Sequence, residues 1–356
     1  MTQKGDRWRN SILPAEALLG DVIENLNSSG LRVVLCADKG DRFLGLATDG
    51  DLRRGLLRGL TMKSSITDIV NLNPLFVAED TDRQTVRSLM TSKQVLQIPV
   101  INSEGHVVGL HLWEDLGSAP EHEHAMVIMA GGKGVRLRPF TENCPKPMLH
   151  VGGKPMLQHI IERAKNQGFK KFVLSVNYLG QMIQEHFKDG SDYGVEIIYA
   201  QEDKPLGTAG ALSLIEHHIT SDFIVTNGDV LADVDYFDLI NFRQKHDAHG
   251  AMAVRLFEWT NPYGVVRMQG ADITGFTEKP VVRSHINAGI YAFTPASLAY
   301  LQMQEHCDMP SLFDRLREAG HRTVAYPLHE PWLDVGRPDD LDRANAEFSD
   351  EIECSN

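Results

Sequence analysis

From Met126 onward, short apolar runs alternate with segments of helical period, and this alternation most narrows the choice of fold. "MVIMA", "KFVLSV", "EIIYA" and "DFIVTN" read as buried strands. Between them, "MLQHIIERAKNQG", "GQMIQEHF" and "TAGALSLIEHH" read as helices. Such alternation predicts βαβ units and an α/β fold with a mainly parallel sheet covered by helices on both faces. Ligands on these sheets sit beyond the carboxyl ends of the strands. The loops that follow the strands are therefore where function is to be sought.

The loop after "MVIMA" belongs to "MAGGKGVRLRPFTENCPKPML", Met129 to Leu149. It is not a P-loop, because Val135 follows Gly134 where a lysine is needed. Nor is it a dinucleotide turn, because Leu137 stands in place of the third glycine. What remains is Gly131, Gly132 and Gly134 after a buried strand, with Arg136 and Lys146 beyond. Glycines let backbone N–H groups approach phosphate oxygens closely. Arg136 can grip a polyphosphate through its fork, and Lys146 adds a mobile point charge.

A chain of 356 residues has room for two domains, and the first 120 residues form a unit with an internal repeat. "RVVLCADKGDRFLGLATDGDLRRGLL" and "QIPVINSEGHVVGLHLWEDL" share one scheme of strand, turn, strand and helix start, with Gly45 and Gly109 in matching places. Val86, Leu89 and Met90 form the stripe of an amphipathic helix before the second copy. "GSAPEHEHA", Gly117 to Ala125, is small and polar and is expected to be a linker, with His122, Glu123 and His124 solvated rather than metal-bound. The expected domains are residues 1–120 and 125–356.

The formal charge of -13 excludes nucleic acid and anionic membrane as extended partners, yet allows a local basic pocket for a small phosphorylated ligand. Cys36, Cys144, Cys307 and Cys354 form no CxxC pair, so neither a zinc site nor a redox dithiol is indicated, and the histidines show no ligand spacing. The N-terminus lacks the apolar core of a secretory signal, and no apolar run reaches the ~18 residues of a membrane span. A soluble, cytoplasmic protein is expected.

"AGGKGVRLRPFTENCPKPMLHVGGKPM" is similar to the signature of sugar-1-phosphate nucleotidyltransferases, G-G-x-G-T-R-L with a downstream Pro-Lys-Pro, and the resemblance runs over residues 126–348. Val135 stands where that family has threonine. The resemblance implies a Rossmann-like, GT-A-like catalytic domain. In "QEDKPLGTAGAL" it implies Gln201 and Gly207 near the nucleobase. In "NPYGVV", "FTEKP" and "NAGIYAF" it implies Tyr263, Gly264, Glu278, Lys279, Asn287 and Gly289 around the sugar phosphate. "TNGDV" and "WLDVGRPDDL" supply Asp229 and Asp334, which in the family hold one Mg²⁺ between the nucleotide α-phosphate and the sugar phosphate. Asp339 and Asp340 read only as a helix start.

Residues 10–118 resemble a tandem pair of CBS domains. That resemblance implies a regulatory or dimerising module with Thr48 and Asp51 on the ribose of an adenine nucleotide, in a homo-oligomer, dimer or tetramer. The same two residues also suit a helix cap. The second copy keeps Asp115 but has Leu112 in place of the hydroxyl. "PLGTAGAL" with "PKPML" resembles mannose-1-phosphate guanylyltransferases. A CBS pair ahead of such a domain resembles the glucosamine-1-phosphate guanylyltransferases of legionaminic-acid pathways. The expectation is a Mg²⁺-assisted transfer from an NTP, GTP first, to a glucosamine or mannose 1-phosphate, with uridylyl or thymidylyl transfer to glucose 1-phosphate as an alternative. An inactive nucleotide-sensing protein on the same fold is the reading from another class.

Overall fold

The repeat seen in the sequence is a repeat in space. The computed structural model describes residues 4–40, 42–93, 95–116 and 122–354. The first copy comprises β1 (Ile12–Pro14), α1 (Leu19–Ser29), β2 (Val33–Ala37), β3 (Phe43–Thr48) and α2 (Asp49–Leu57). The second comprises α3 (Arg83–Lys93), β4 (Gln97–Ile101), β5 (Val107–Leu112) and α4 (Trp113–Leu116), each starting at the same offset from its counterpart. Registers repeat as well. Leu13 pairs in parallel with Cys36 as Val77 does with Val100, and a bulge follows Cys36 and Val100 alike. At Gly45 any side chain is excluded, since a Cβ would lie 2.2 Å from the Asn71 carbonyl oxygen. Leu35 and Leu46 of the first copy share one apolar cluster with Ile101 and Val107 of the second, so the half-sheets bury their faces together.

The remainder builds around a central sheet. Its elements begin with β6 (His122–Met129), β7 (His150–Val151), β8 (Lys154–Pro155), α5 (Met156–Asn166), β9 (Phe169–Val176), α6 (Gly180–Phe187) and β10 (Glu196–Gln201). They continue with α7 (Gly207–Gly210), β11 (Phe223–Asn227), β12 (Val230–Ala232), α8 (Tyr236–Lys245), β13 (Gly250–Thr260), β14 (Val265–Gln269), β15 (Asp272–Thr277) and β16 (Val281–Phe293). The last are α9 (Met309–Glu318), β17 (Thr323–Leu328), β18 (Trp332–Asp334) and α10 (Pro338–Cys354). The sheet runs β10-β9-β6-β11-β16-β13-β17. Only the β11–β16 and β16–β13 pairings are antiparallel, so it is mainly parallel as expected. Successive strand residues point to opposite faces. Met126 and Ile128 accordingly enter the core cluster that contains α5 and α8 residues, while Ala125 and Val127 enter the one that contains α9 residues.

Two expectations change. Most of the segment taken as a linker, residues 117–121, lies outside the described residues, but His122, Glu123 and His124 already belong to β6. Backbone pairing of His122 with Phe169 needs no apolar side chain, which is why the polar run looked non-structural. "TAGALSLIEHH" is not one helix but α7 followed by short 3-10 turns. Gly207 has φ +79°, and a Cβ at Gly210 would lie 2.4 Å from the Glu305 carbonyl oxygen, so close packing interrupts the helical period.

Candidate active site

Gly131, Gln201 and Asp229 lie at or just past the ends of β6, β10 and β11 of the central sheet, whereas Asp334 ends β18 of a separate two-stranded ladder and Asn287 and Gly289 lie within β16. β6 and β11 are parallel, with Met129 beside Asn227. Gly228 then donates its N–H to the Met129 carbonyl at 2.9 Å, and a Cβ there would lie 2.9 Å from that same oxygen. Glycine is thus required for the turn that delivers Asp229. The short β12–β18 ladder pairs Val230 with Asp334, and the Val335 N–H donates to the Asp229 carbonyl at 3.0 Å. Two carboxylates far apart in sequence become neighbours. Burial first, and the Asp229 charge second, raise the Asp334 carboxyl above its ordinary value, against the opposing pull of Lys146 and Arg136.

The basic residues converge on this pair. Lys146, itself buried, donates from Nζ to Asp229 Oδ2 as an ion pair. The Arg136 guanidinium lies against Gly336, with both terminal nitrogens 3.5 Å from where a Cβ would be. Asp340 fixes that turn by accepting from the N–H groups of Gly336 at 3.2 Å and Arg337 at 2.8 Å. The three loop glycines serve different ends. Gly134 has φ +58° and abuts Thr141 and Lys146, and Gly131 abuts Glu202 and Asn177, whereas Gly132 faces open space. The first and third glycines are packing requirements, and the second leaves the backbone open to a ligand. Val135 is 57% exposed, and nothing in the structure explains valine there.

Gln201 is exposed at the end of β10, and a Cβ on Gly207 would lie 2.6 Å from the Cys307 carbonyl oxygen. Asn287 accepts from the Gly289 N–H at 2.9 Å and donates to the Tyr291 hydroxyl at 2.7 Å. Gly289, at φ +75°, lies against Asn227, which brings this segment beside the carboxylates. The Tyr291 hydroxyl is pushed up to about 12, chiefly by burial, with the Asn287 bond opposing and Asp229 adding. Tyr263, Gly264, Glu278 and Lys279 form a second group farther along β13–β16. Tyr263 is 76% exposed, which rules out a core role, and a Cβ on Gly264 would lie 2.9 Å from Glu278 Oε2.

Thr48 and Asp51 meet as a capping box on α2. The Thr48 N–H and hydroxyl donate to Asp51 Oδ2 at 3.0 and 2.7 Å, and Arg54 pairs with the other oxygen.

Sequence reasoning missed two acidic sites. Glu202 is buried, accepting from the Ser175 hydroxyl and, at 2.9 Å, from the Leu206 N–H, so it ties the expected base-binding segment to β9 beneath Gly131. In "QEDKPLG" it looks like any loop acid. Asp49, His329 and Glu330 come together within 4.8 Å. There the Arg53 guanidinium sits 3.0 Å from Glu330, so the positive charge is already supplied and the cluster is an ion-pair network.

Asp229 and Asp334, by contrast, suit a hard divalent cation that takes its other ligands from phosphate oxygens. Burial first and the Asp229 charge second raise the Asp334 carboxyl, a repulsion that persists beside the Lys146–Asp229 ion pair and that a cation between the carboxylates would offset.

Comparison with known proteins places the chain in a family. A family profile described as "Nucleotidyl transferase" matches residues 125–351, and a "CBS domain" profile matches residues 66–110. The chain is 35% identical over 223 residues to the mannose-1-phosphate guanylyltransferase catalytic subunit beta of Danio rerio, covering 60% of this chain and 62% of that protein. It is 37% identical over 223 residues to a mannose-1-phosphate guanyltransferase of Yarrowia lipolytica, covering 60% and 61% respectively. The chain therefore spans about three fifths of the length of these relatives. Among solved structures, HddC from Yersinia pseudotuberculosis complexed with GMP-PN is similar with a TM-score of 0.50 and 25% identity, over 63% of this chain and 99% of that one.

Proposed function

Since the chain belongs to the nucleotidyl transferase family, we propose that it transfers a nucleotidyl group from an NTP to a sugar 1-phosphate, releasing pyrophosphate. The observation that carries this reading is the convergence of Asp229, Asp334, Lys146 and Arg136 at the strand ends. GTP is the preferred donor and a mannose-type or glucosamine-type hexose 1-phosphate the acceptor. The names of the relatives and the guanine analogue carried by HddC support the donor. Uridylyl or thymidylyl transfer to glucose 1-phosphate is the alternative within the class.

A sugar-phosphate oxygen attacks the α-phosphorus in line. The new P–O bond forms as the bond to the bridging oxygen breaks and pyrophosphate leaves. The nucleophile is already ionised, so no general base is needed, and the barrier is one of charge and position. Lys146 meets the α-phosphate, Arg136 the departing pyrophosphate and Lys279 the attacking phosphate. Glu278 faces sugar hydroxyls, and Asn287 orders the adjoining Gly289 turn. Mg²⁺ held by Asp229 and Asp334 would supply charge neutralisation between the phosphates.

In this reading the N-terminal CBS-like pair regulates or helps assemble the enzyme, with adenine nucleotide as its candidate ligand at Thr48 and Asp51. Pyrophosphate release measured for each NTP with each sugar 1-phosphate tests the catalytic reading. Release with one guanine-containing pair is expected. No release with any pair would leave the inactive nucleotide sensor as the better description.

A further inference from the structure

Arg136 and Lys146 lie at the two ends of one stretch of chain. Leu137 anchors the first end in the core, and Lys146 and Pro147 are buried at the other. The bridge between them, residues 138–143, is exposed apart from Thr141. Its hydrogen bonds are mostly internal. Arg138 donates its N–H to the Val135 carbonyl and Glu142 to that of Pro139, while the Thr141 hydroxyl donates to the Gly134 carbonyl at 2.8 Å. Such bonds give the bridge a shape but do not fix it to the sheet, and a segment of this kind opens at low cost.

Among the described residues, the hydrogen bonds that reach this bridge from outside come from Tyr178. Its hydroxyl donates to the Glu142 carbonyl at 2.9 Å and lies 3.3 Å from that of Thr141. The adjacent Asn177 donates from Nδ2 to the Glu202 carbonyl at 2.7 Å, and a Cβ on Gly131 would lie 3.1 Å from the Asn177 Cβ. Two consecutive residues after β9 thus touch the glycine loop, the expected base segment and the bridge. Their turn is tight. The Gly180 N–H returns to the Asn177 carbonyl at 3.2 Å, and Leu179 sits at φ +51°, a conformation that a leucine rarely adopts. Backbone strain of that kind persists where the surroundings enforce it, and it clusters at ligand sites.

We propose that Tyr178 is a positioning residue for the nucleotide end of the site. Its hydroxyl sets where the bridge stands against the glycine loop, and so where Arg136 and Lys146 stand. The inference rests on the roles proposed above for those two cations. Tyr178 acts through the carbonyls it holds and not by contact with a substrate. Charge stabilisation in phosphoryl-group transfer depends on donors already in place, and a misplacement of about 1 Å is enough to cost rate. The residues expected around the sugar lie on and beside β16, to which the Tyr178 hydroxyl makes no bond. Its loss should therefore act on turnover and spare sugar-phosphate binding.

Tyr178→Phe in the full-length protein keeps the ring and removes the donor. It should lower kcat about tenfold, the scale of losing one or two hydrogen bonds. KM for the sugar 1-phosphate should stay within about twofold, and the melting temperature should stay near that of wild type. A second readout needs no turnover. Phe140, in the bridge, is 52% exposed, so chymotrypsin can cut after it. The variant should be cut there at least about threefold faster than wild type and no faster elsewhere. Unchanged cleavage at Phe140 would overturn the proposal, as would an unchanged kcat. A lower melting temperature with kcat and the sugar KM impaired together would also overturn it, since that is the mark of a merely structural residue. Should wild type release no pyrophosphate with any pair, the proposed reaction fails, and the cleavage comparison still decides whether Tyr178 holds the bridge.

Discussion

Lys146 is the residue whose loss should separate chemistry from folding most clearly. It is buried and paired with Asp229 beside the glycine loop. Lys146→Ala should cost on the order of 3 kcal/mol in kcat/KM, the scale of one preorganised donor. Near-normal kcat/KM would remove it from the site. Asp334 makes a different prediction, because its carboxyl is raised by burial and by Asp229. Between the ordinary carboxylate value and the raised one, the folded state binds more protons than the unfolded state. Stability therefore falls as pH rises through that window and stays lowered above it. Asp334→Asn removes that penalty. Turnover should be lost while the melting temperature at neutral pH equals or exceeds that of wild type, the two converging below the ordinary carboxylate range. A variant that melts lower at neutral pH would contradict this. Glu202 marks the limit of sequence reading at this scale. A loop glutamate carries no sign of burial until Ser175 and Leu206 are seen to bond it.

The glycine loop acts as an element, and its glycines should respond differently to the same substitution. A Cβ at Gly131 would lie 2.8 Å from Glu202 Oε1 and 3.1 Å from the Asn177 Cβ, whereas one at Gly132 meets nothing within 4 Å. Gly131→Ala should lower the melting temperature. Gly132→Ala should fold as wild type but raise KM for the NTP, where the backbone must approach phosphate. Equal melting temperatures and equal KM values would sink the distinction. The element pattern itself was legible, because strands and amphipathic helices announce themselves by period. The broken helix after Leu206 was not, since its interruption comes from contact with Glu305 and Cys307, distant in sequence. β6 likewise starts earlier than its apolar residues suggest, because its first pairing partner is the backbone of Phe169.

At the scale of the molecule, α2 of the N-terminal pair is fastened to the catalytic layer by buried side chains: Asp49 meets His329 at 2.9 Å, and Arg53 makes the broader set of contacts. Arg53 is 1% exposed, and its guanidinium lies 3.5 Å from the Tyr326 ring centroid. It also bonds the Pro327 carbonyl and Glu330 and sits 3.6 Å from Asp238. Removing it leaves the buried Glu330 carboxylate without its guanidinium partner. Arg53→Ala should destabilise by about 3–5 kcal/mol, read by denaturant or thermal unfolding. A loss below about 1 kcal/mol would show that the interface tolerates the missing charge. Glu330 leads into β18, which ends at Asp334, so the same anchor adjoins the strand that carries a site carboxylate. Nearby, a cavity of about 720 Å³ is lined by Gln97 and Trp113 from the N-terminal side and by Arg163 and Trp332 from the catalytic side, and Arg32, also in its lining, donates to the Asp233 carbonyl at 3.4 Å.

Sequence alone determined the alternating α/β layer, the doubled N-terminal module and the identity of the loop residues. Those follow from local period, turn chemistry and a motif whose residues are contiguous. Tertiary structure decided what each of them touches. It set Asp229 beside Asp334, placed Asp51 in a capping box with Thr48 and buried Arg53 between modules. Burial and charge pairing arise between segments distant along the chain, and a linear pattern carries no record of those distances.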